Sequence, residues 1–295
     1  MKIGPKIIAS RLHEVIPLDA QPLPAREYIA KFLLESGVCA SKMEAQEKAE
    51  YYESGVISRL QLEICTLNSL GRPLVIDFNS TSIELLQGGC FCEPNDSDST
   101  KEIKNNRLYF KDYLSEIAKL NFNEFEQLCG GIIQLLGVDD VIVTQASKDE
   151  GIDFFGQAKL ENLFFNERDV PSLIKRGKLW IVGQAKHYQK NNISTPQIRE
   201  LVGSVQLAQA KAFGGDYHEN FDKLDIKICD PTLYVFITSG HITSSSWKLL
   251  ERSGVIGFDG VMIANFLAEN SIGITCGSFS VDSFRSWVRG RIPLS

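Results

Sequence analysis

The chain has 295 residues, 43% apolar and 23% charged, with a formal net charge of −6. That length allows one large domain or two ordinary ones, and the composition excludes a fibrous or disordered chain. No apolar run reaches the ~18 residues of a membrane span, and Met1-Lys2-Ile3-Gly4-Pro5-Lys6 lacks the apolar core of a secretory signal, so a cytoplasmic protein without a membrane span is expected.

Residues 1 to about 106 read as a smaller helical, α+β module. Ala25 to Ser36, Ser41 to Glu53 and Gly55 to Leu67 show helical apolar spacing, and Ser41 is a ready N-cap. Pro73 to Phe78 and Thr81 to Leu85 then read as a hairpin around Asn79-Ser80. Helices followed by a hairpin suggest a winged helix. Against a DNA-reading role, the first 110 residues hold 12 Lys and Arg against 15 Asp and Glu, and the third helix offers only Arg59. A protein-interaction or sensor module is the competing expectation. Glu93 to Asn106 is polar and mixed in charge, the composition of a linker, so the domain boundary is expected at 106/107.

The seven cysteines mostly lie inside apolar patterns, as reduced, buried thiols do. The one-residue spacing of Cys90-Phe91-Cys92 is too short for a zinc knuckle.

The second unit, 107–295, opens with a helix from about Asn123 to Leu136, with Phe125, Cys129, Ile132 and Leu136 on one stripe. Here Asn123 and Glu126 have the spacing of a capping box. Val141 to Thr144 and Ile152 to Phe155 read as strands joined by the polar turn Gln145 to Gly151. After a long insertion, Gln157 to Gly177, comes the strand Leu179 to Lys186. Thr195-Pro196 opens a helix running to about Phe213, and Leu233 to Thr238 is apolar enough to be buried on both faces. Helices at 243–252, 260–269 and 281–289 and a short strand at 255–258 complete a mixed α/β sheet flanked by helices.

Side chains two apart share one face of a strand, so Gln184 and Lys186 project together. If the strands carrying Asp153 and Gln184 are neighbours, Asp153, Gln184 and Lys186 converge. Two oxygen ligands suit a hard cation such as Mg²⁺, which activates water, and the lysine orients the nucleophile or balances charge on a phosphate. The plainer readings are an Asp bonding its own turn, a solvated surface lysine, and His187 as a polar neighbour with Tyr188 packed beneath.

Asp149-Glu150-Gly151-Ile152-Asp153 resembles the D-G-G-x-D turn, and Gln184-Ala185-Lys186-His187-Tyr188 the Q-x-K-R-Y strand end, of Mrr-type restriction endonucleases in the PD-(D/E)xK nuclease superfamily. Phe125-Glu126, Ile198 to Gly203, Phe236 to Gly240 and Gly257 to Gly260 extend the resemblance in order over about residues 120–270. Glu150 in place of Gly and the long insertion depart from the family pattern. The resemblance implies a restriction-endonuclease-like fold and a Mg²⁺-dependent DNA endonuclease, with Mn²⁺ as a possible substitute. Asp153, Gln184 and Glu126 are then metal ligands, Lys186 completes the catalytic set, and the role is restriction or antiviral defence. A repair or recombination nuclease and an idle DNA-binding scaffold are the alternatives on the same fold.

From Ser172 to Lys211 the chain carries seven Lys and Arg against Glu200 alone. Lys175, Arg176, Lys178, Lys190 and Arg199 are therefore the expected contacts to double-stranded DNA. A homo-oligomer, and a possible protein partner for the N-terminal module, complete the expectation.

Overall fold

The computed structural model describes residues 3–144, 151–160, 177–188, 192–210, 223–227 and 229–290. The chain divides into two compact units, Met1–Lys111 with Asn265–Phe279, and Asp112–Ala264 with Ser280–Ser295.

The first unit contains α1 (Pro5–Arg11), β1 (Leu23–Pro24), α2 (Ala25–Glu35), α3 (Lys42–Ser69), β2 (Ile76–Asn79), β3 (Ser82–Gly88) and α4 (Asp98–Arg107). The strands form an antiparallel sheet in the order β1-β3-β2. Ile29, Phe32 and Leu33 of α2 pack with Val56 and Leu60 of α3, Ile8 of α1 and Leu86 of β3. Ser41 caps α3, accepting from Glu44 N at 3.2 Å. The two helices expected on either side of Gly55 are one helix of 28 residues. Gly55 marks a close approach instead: a methyl group there would come within 2.9 Å of the Pro5 ring of α1.

Residues 93–106, whose composition suggested a linker, are ordered. Ser97 caps α4 by accepting from Thr100 N at 3.1 Å, and Lys104 pairs with Asp96 at 2.7 Å. The buried Asn106 donates to Ala268 O at 3.2 Å and Ser271 Oγ at 3.0 Å. Polar residues order when their groups find partners, and a partner 162 positions away leaves no mark on local composition.

The chain continues through α5 (Phe110–Ala118), α6 (Phe122–Leu135), β4 (Val138–Val143), β5 (Phe154–Lys159), β6 (Lys178–Lys186), β7 (Asn192–Ile193), α7 (Thr195–Gln209), β8 (Thr232–Thr238) and β9 (His241–Ile242). It ends with α8 (Ser244–Ser253), β10 (Ile256–Phe258), α9 (Gly260–Glu269), β11 (Ile274–Thr275), β12 (Ser278–Phe279) and α10 (Val281–Gly290). Five strands form a mixed sheet in the order β10-β8-β6-β5-β4. The β4, β5 and β6 ladders are antiparallel, whereas β6, β8 and β10 run parallel and end on one edge. Loops at the carboxyl ends of parallel strands are where such sheets place ligands.

Phe155, Val182 and Phe236 from the sheet pack with Ile198, Leu201 and Val205 of α7. Burial of each such side chain contributes ~1.5–3 kcal/mol, which fixes the strands whose ends carry the polar groups. On α10, Arg285 pairs with Glu116 at 3.0 Å and Arg289 with Glu124 at 2.8 Å, so the last helix braces α5 and α6.

Candidate active site

Register brings Asp153 to Gln184. Phe154 pairs with Gly183 in the antiparallel β5–β6 ladder, which puts Asp153, one residue before β5, opposite Gln184. Asp153 N donates to Gly183 O at 3.0 Å, and Ala185 N donates to Asp153 Oδ2 at 2.7 Å. One carboxylate oxygen therefore takes the place of a ladder carbonyl, and the side chain is 3% exposed. Thr144 closes the turn from the other side: its N donates to Asp153 O at 2.9 Å and its Oγ1 to Ile152 O at 2.7 Å. Thr144 went unnoticed in the sequence as the polar end of an apolar strand.

Gln184 is fully buried, and neither Oε1 nor Nε2 has a hydrogen-bond partner. Among the described residues no other side chain has two such atoms. Each unpaired buried polar atom costs ~1–3 kcal/mol, so this amide is arranged for something other than stability. Gly151 opens the space beside it. Its φ of +83° favours glycine, and a methyl group there would meet Ser204 Oγ of α7 at 2.5 Å and Gln184 Nε2 at 3.7 Å. Ser204 is a neighbour that no local pattern announced.

Lys186 is the last residue of β6 and is half-buried on the face of Gln184. Its carbonyl accepts from Thr238 Oγ1 at 2.7 Å and Ser239 N at 3.3 Å, which ties its backbone to the end of β8. The resemblance fragments farther on shape the same edge: Gly260 N donates to Gly240 O at 3.3 Å, and buried Asp259 accepts from Met262 N at 3.1 Å as a cap.

Glu126 does not belong to a capping box. The box lies two residues earlier, where Asn121 Oδ1 accepts from Glu124 N at 2.9 Å and Glu124 Oε2 from Asn121 N at 3.1 Å. Both spacings fit the motif, and the helix takes the one that starts it at Phe122. Glu126 is half-buried in the second turn. One turn on, Cys129 is completely buried; burial raises its thiol pKa well above the ordinary value, and the charges of Asp153 and Glu126 raise it further.

Among the described residues no group of three or more His, Cys, Asp or Glu is poised for a metal. Asp153 and Gln184, opposite each other across the β5–β6 ladder, instead offer a carboxylate and a carboxamide, hard oxygen donors, and the unpaired Gln184 amide fits a cation of that kind. His187 is buried, with Nδ1 2.8 Å from Ser239 Oγ. Burial lowers its pKa, and the Leu120 backbone raises it in part. Of the basic residues, Lys175, Arg176 and Lys190 lie outside the described residues, while Lys178 and Arg199 are exposed. Lys178 opens β6 and Lys186 ends it, so the two stand roughly 26 Å apart at ~3.3 Å per residue.

Residues 117–213 match the family model of the Mrr catalytic domain, described as a restriction endonuclease. That stretch is a Mrr-type restriction endonuclease domain. It contains Glu126, Asp153, Gln184 and Lys186, and it ends before β8, whereas the resemblance read in the sequence runs on to about residue 270. No match to a curated protein was found. Among solved structures, the chain is similar to MspJI restriction endonuclease in complex with a 27-mer oligonucleotide, at 14% identity and a TM-score of 0.41 over 68% of this chain and 39% of that one. The DNA modification-dependent restriction endonuclease AspBHI aligns at 15% identity and a TM-score of 0.40, over 61% and 39% of the two chains. Restriction endonuclease FokI aligns at 15% identity and 0.34, over 95% and 46%. The chain thus spans less than half the length of each of these proteins. No helix among the described residues is long and apolar enough to cross a membrane.

Proposed function

We propose that the Mrr-type domain is a Mg²⁺-dependent endonuclease that hydrolyses phosphodiester bonds in double-stranded DNA, in restriction or defence against phage. The observation that carries this reading is the buried, unpaired amide of Gln184, opposite Asp153 and on one face with Lys186, inside the stretch that matches the family model. Asp153 and Gln184 would hold the cation through oxygen, and Glu126 would add a carboxylate from α6. Bound there, Mg²⁺, or Mn²⁺ in its place, supplies Lewis acidity and lowers the pKa of water. Lys186 orients the attacking water or balances charge on the non-bridging phosphate oxygens. The tie of Ala185 N to Asp153 Oδ2 keeps the carboxylate rotamer fixed before substrate arrives.

Arg199 and the basic residues between 172 and 211 contact phosphates and carry no sequence information. One centre cuts one strand, and the two strands of a duplex are related by local twofold symmetry, so the active form is a homo-oligomer. The N-terminal unit, with its acidic balance, is a sensor or protein-interaction module. The protein works in the cytoplasm, and all seven cysteines are free thiols, as a reducing compartment requires.

Purified full-length protein incubated with supercoiled plasmid should nick and then linearise it with Mg²⁺ or Mn²⁺ and leave it intact with EDTA. Gln184→Glu should keep part of the activity, because a carboxylate offers a similarly placed oxygen. A protein that binds plasmid but cuts it with neither cation is a binding scaffold, and the reading fails.

A further inference from the structure

His187 is buried directly after the strand end that carries Lys186, and the nuclease reading assigns it no task. Its ring makes two kinds of contact. Nδ1 lies 2.8 Å from Ser239 Oγ, and the same hydroxyl accepts from Tyr188 N at 2.9 Å, so the segment after β6 is pinned to the segment after β8. The ring face stacks on Phe125 of α6, with centroids 4.9 Å apart and planes at 27°, and Phe122 stands edge-on at 5.8 Å and 89°.

These contacts join two segments that each carry a proposed site residue. Phe125 precedes Glu126 in α6, and His187 follows Lys186 in β6. The contacts of Phe122 and Phe125 with one imidazole set where the start of α6 lies against the sheet. Phenylalanine would keep the stacking and lose the Ser239 bond; asparagine would keep a polar atom and lose the stacking. Histidine supplies both.

We propose that His187 is a positioning residue that holds the Glu126-bearing turn of α6 in register with Lys186 at the end of β6. The proposal rests on the nuclease reading for the roles of Glu126 and Lys186. A misplacement of about 1 Å at a reacting centre costs ~100-fold in rate, so the link acts on the chemical step and not on DNA affinity.

The test uses the full chain with His187→Ala, His187→Phe and Ser239→Ala, each alone and with Glu126→Gln. Three quantities are measured: the single-turnover cleavage rate with Mg²⁺, plasmid affinity in EDTA, and amide hydrogen exchange of residues 122–126 and 186–188 without metal or DNA. His187→Ala should slow cleavage roughly 100-fold with affinity within about twofold, and His187→Phe should recover part of the rate. In the Glu126→Gln background the further loss should shrink to below about threefold, because the positioned group is gone. Exchange should rise in both segments together. Cleavage by His187→Ala within about threefold of wild type, an equal loss in both backgrounds, or exchange rising in only one segment overturns the proposal. If His187→Ala does not fold, His187→Phe and Ser239→Ala carry the same comparisons. A wild-type protein that never cleaves refutes the nuclease reading, while the exchange measurement still decides whether His187 links the two segments.

Discussion

Two buried glutamines sit on strands, one in each unit, and their surroundings differ. Gln87 of β3 accepts from Asn79 Nδ2 at 2.8 Å and donates to Glu93 Oε1 at 2.7 Å, so its amide is satisfied at both ends. Gln184 of β6 is as deeply buried and has a partner at neither end. The first pattern is that of a group that holds a fold together, here the hairpin of the N-terminal unit. The second is that of a group kept at a cost to stability, which points to a ligand.

The largest expected effects break the second pattern at its neighbours. Asp153→Asn and Lys186→Ala should each lower the plasmid-cleavage rate by roughly 100- to 1000-fold or more. Asparagine is preferable to alanine at 153, because it keeps an oxygen for Ala185 N. Thermal melts followed by circular dichroism should match wild type, and a soluble, folded variant that still cuts at the wild-type rate removes that residue from the site.

The glutamines themselves sharpen the contrast. Gln184→Leu should remove cleavage by a similar factor while the melting temperature stays level or rises, since an unpaired amide is replaced by an apolar group of like size. Gln87→Leu should do the reverse. It removes one hydrogen bond each from Asn79 and Glu93, lowers stability by ~1 kcal/mol, and leaves the cleavage rate unchanged. Equal stability losses in the two variants would erase the distinction.

A smaller effect concerns the charged surface of the second unit. Arg199→Ala should flatten the log–log salt dependence of DNA binding by ~0.9 if it neutralises one duplex phosphate. Lys178→Ala reports on the far end of β6. A drop in slope there as well means that duplex runs along the strand, and no drop confines the footprint to the other end.

The smallest effect is the pH response of the satisfied glutamine's partner. Burial raises the Glu93 pKa, but hydrogen bonds from Ser80 and Gln87 outweigh it, and the carboxyl titrates below its ordinary value. A depressed carboxylate contributes stability that is present above its unfolded pKa of ~4.3 and lost as pH falls through the folded value. Acid melts below about pH 4.5 should therefore lose a few tenths of a kcal/mol more in wild type than in Glu93→Gln, and identical acid slopes contradict the assignment.

Much of the chain was legible because its signals are local. The helix starts at Ser41, Thr195 and Thr243, the hairpin at Asn79-Ser80 and the apolar run at 233–238 all read correctly within a residue or two. Local signals also misled where two solutions compete. Asn121/Glu124 and Asn123/Glu126 offer the same cap spacing, and Gly55 reads as a break until the Pro5 ring fills the space beside it. The polar stretch 93–106 became ordered through partners brought from 265–279.

The sequence by itself determined the alternation of strands and helices, the identities of Asp153, Gln184 and Lys186, and their resemblance to a nuclease family, because strand periodicity and motif order are properties of neighbours along the chain. Only the tertiary structure decided that β5 lies beside β6 in the register that sets Asp153 opposite Gln184, that the Gln184 amide is buried without a partner, that Glu126 is released from capping, and that His187 bridges α6 and β8. Each of these depends on contacts between residues far apart in sequence. Such contacts are chosen by the packing of the whole core, where burial of apolar surface outweighs any single local preference.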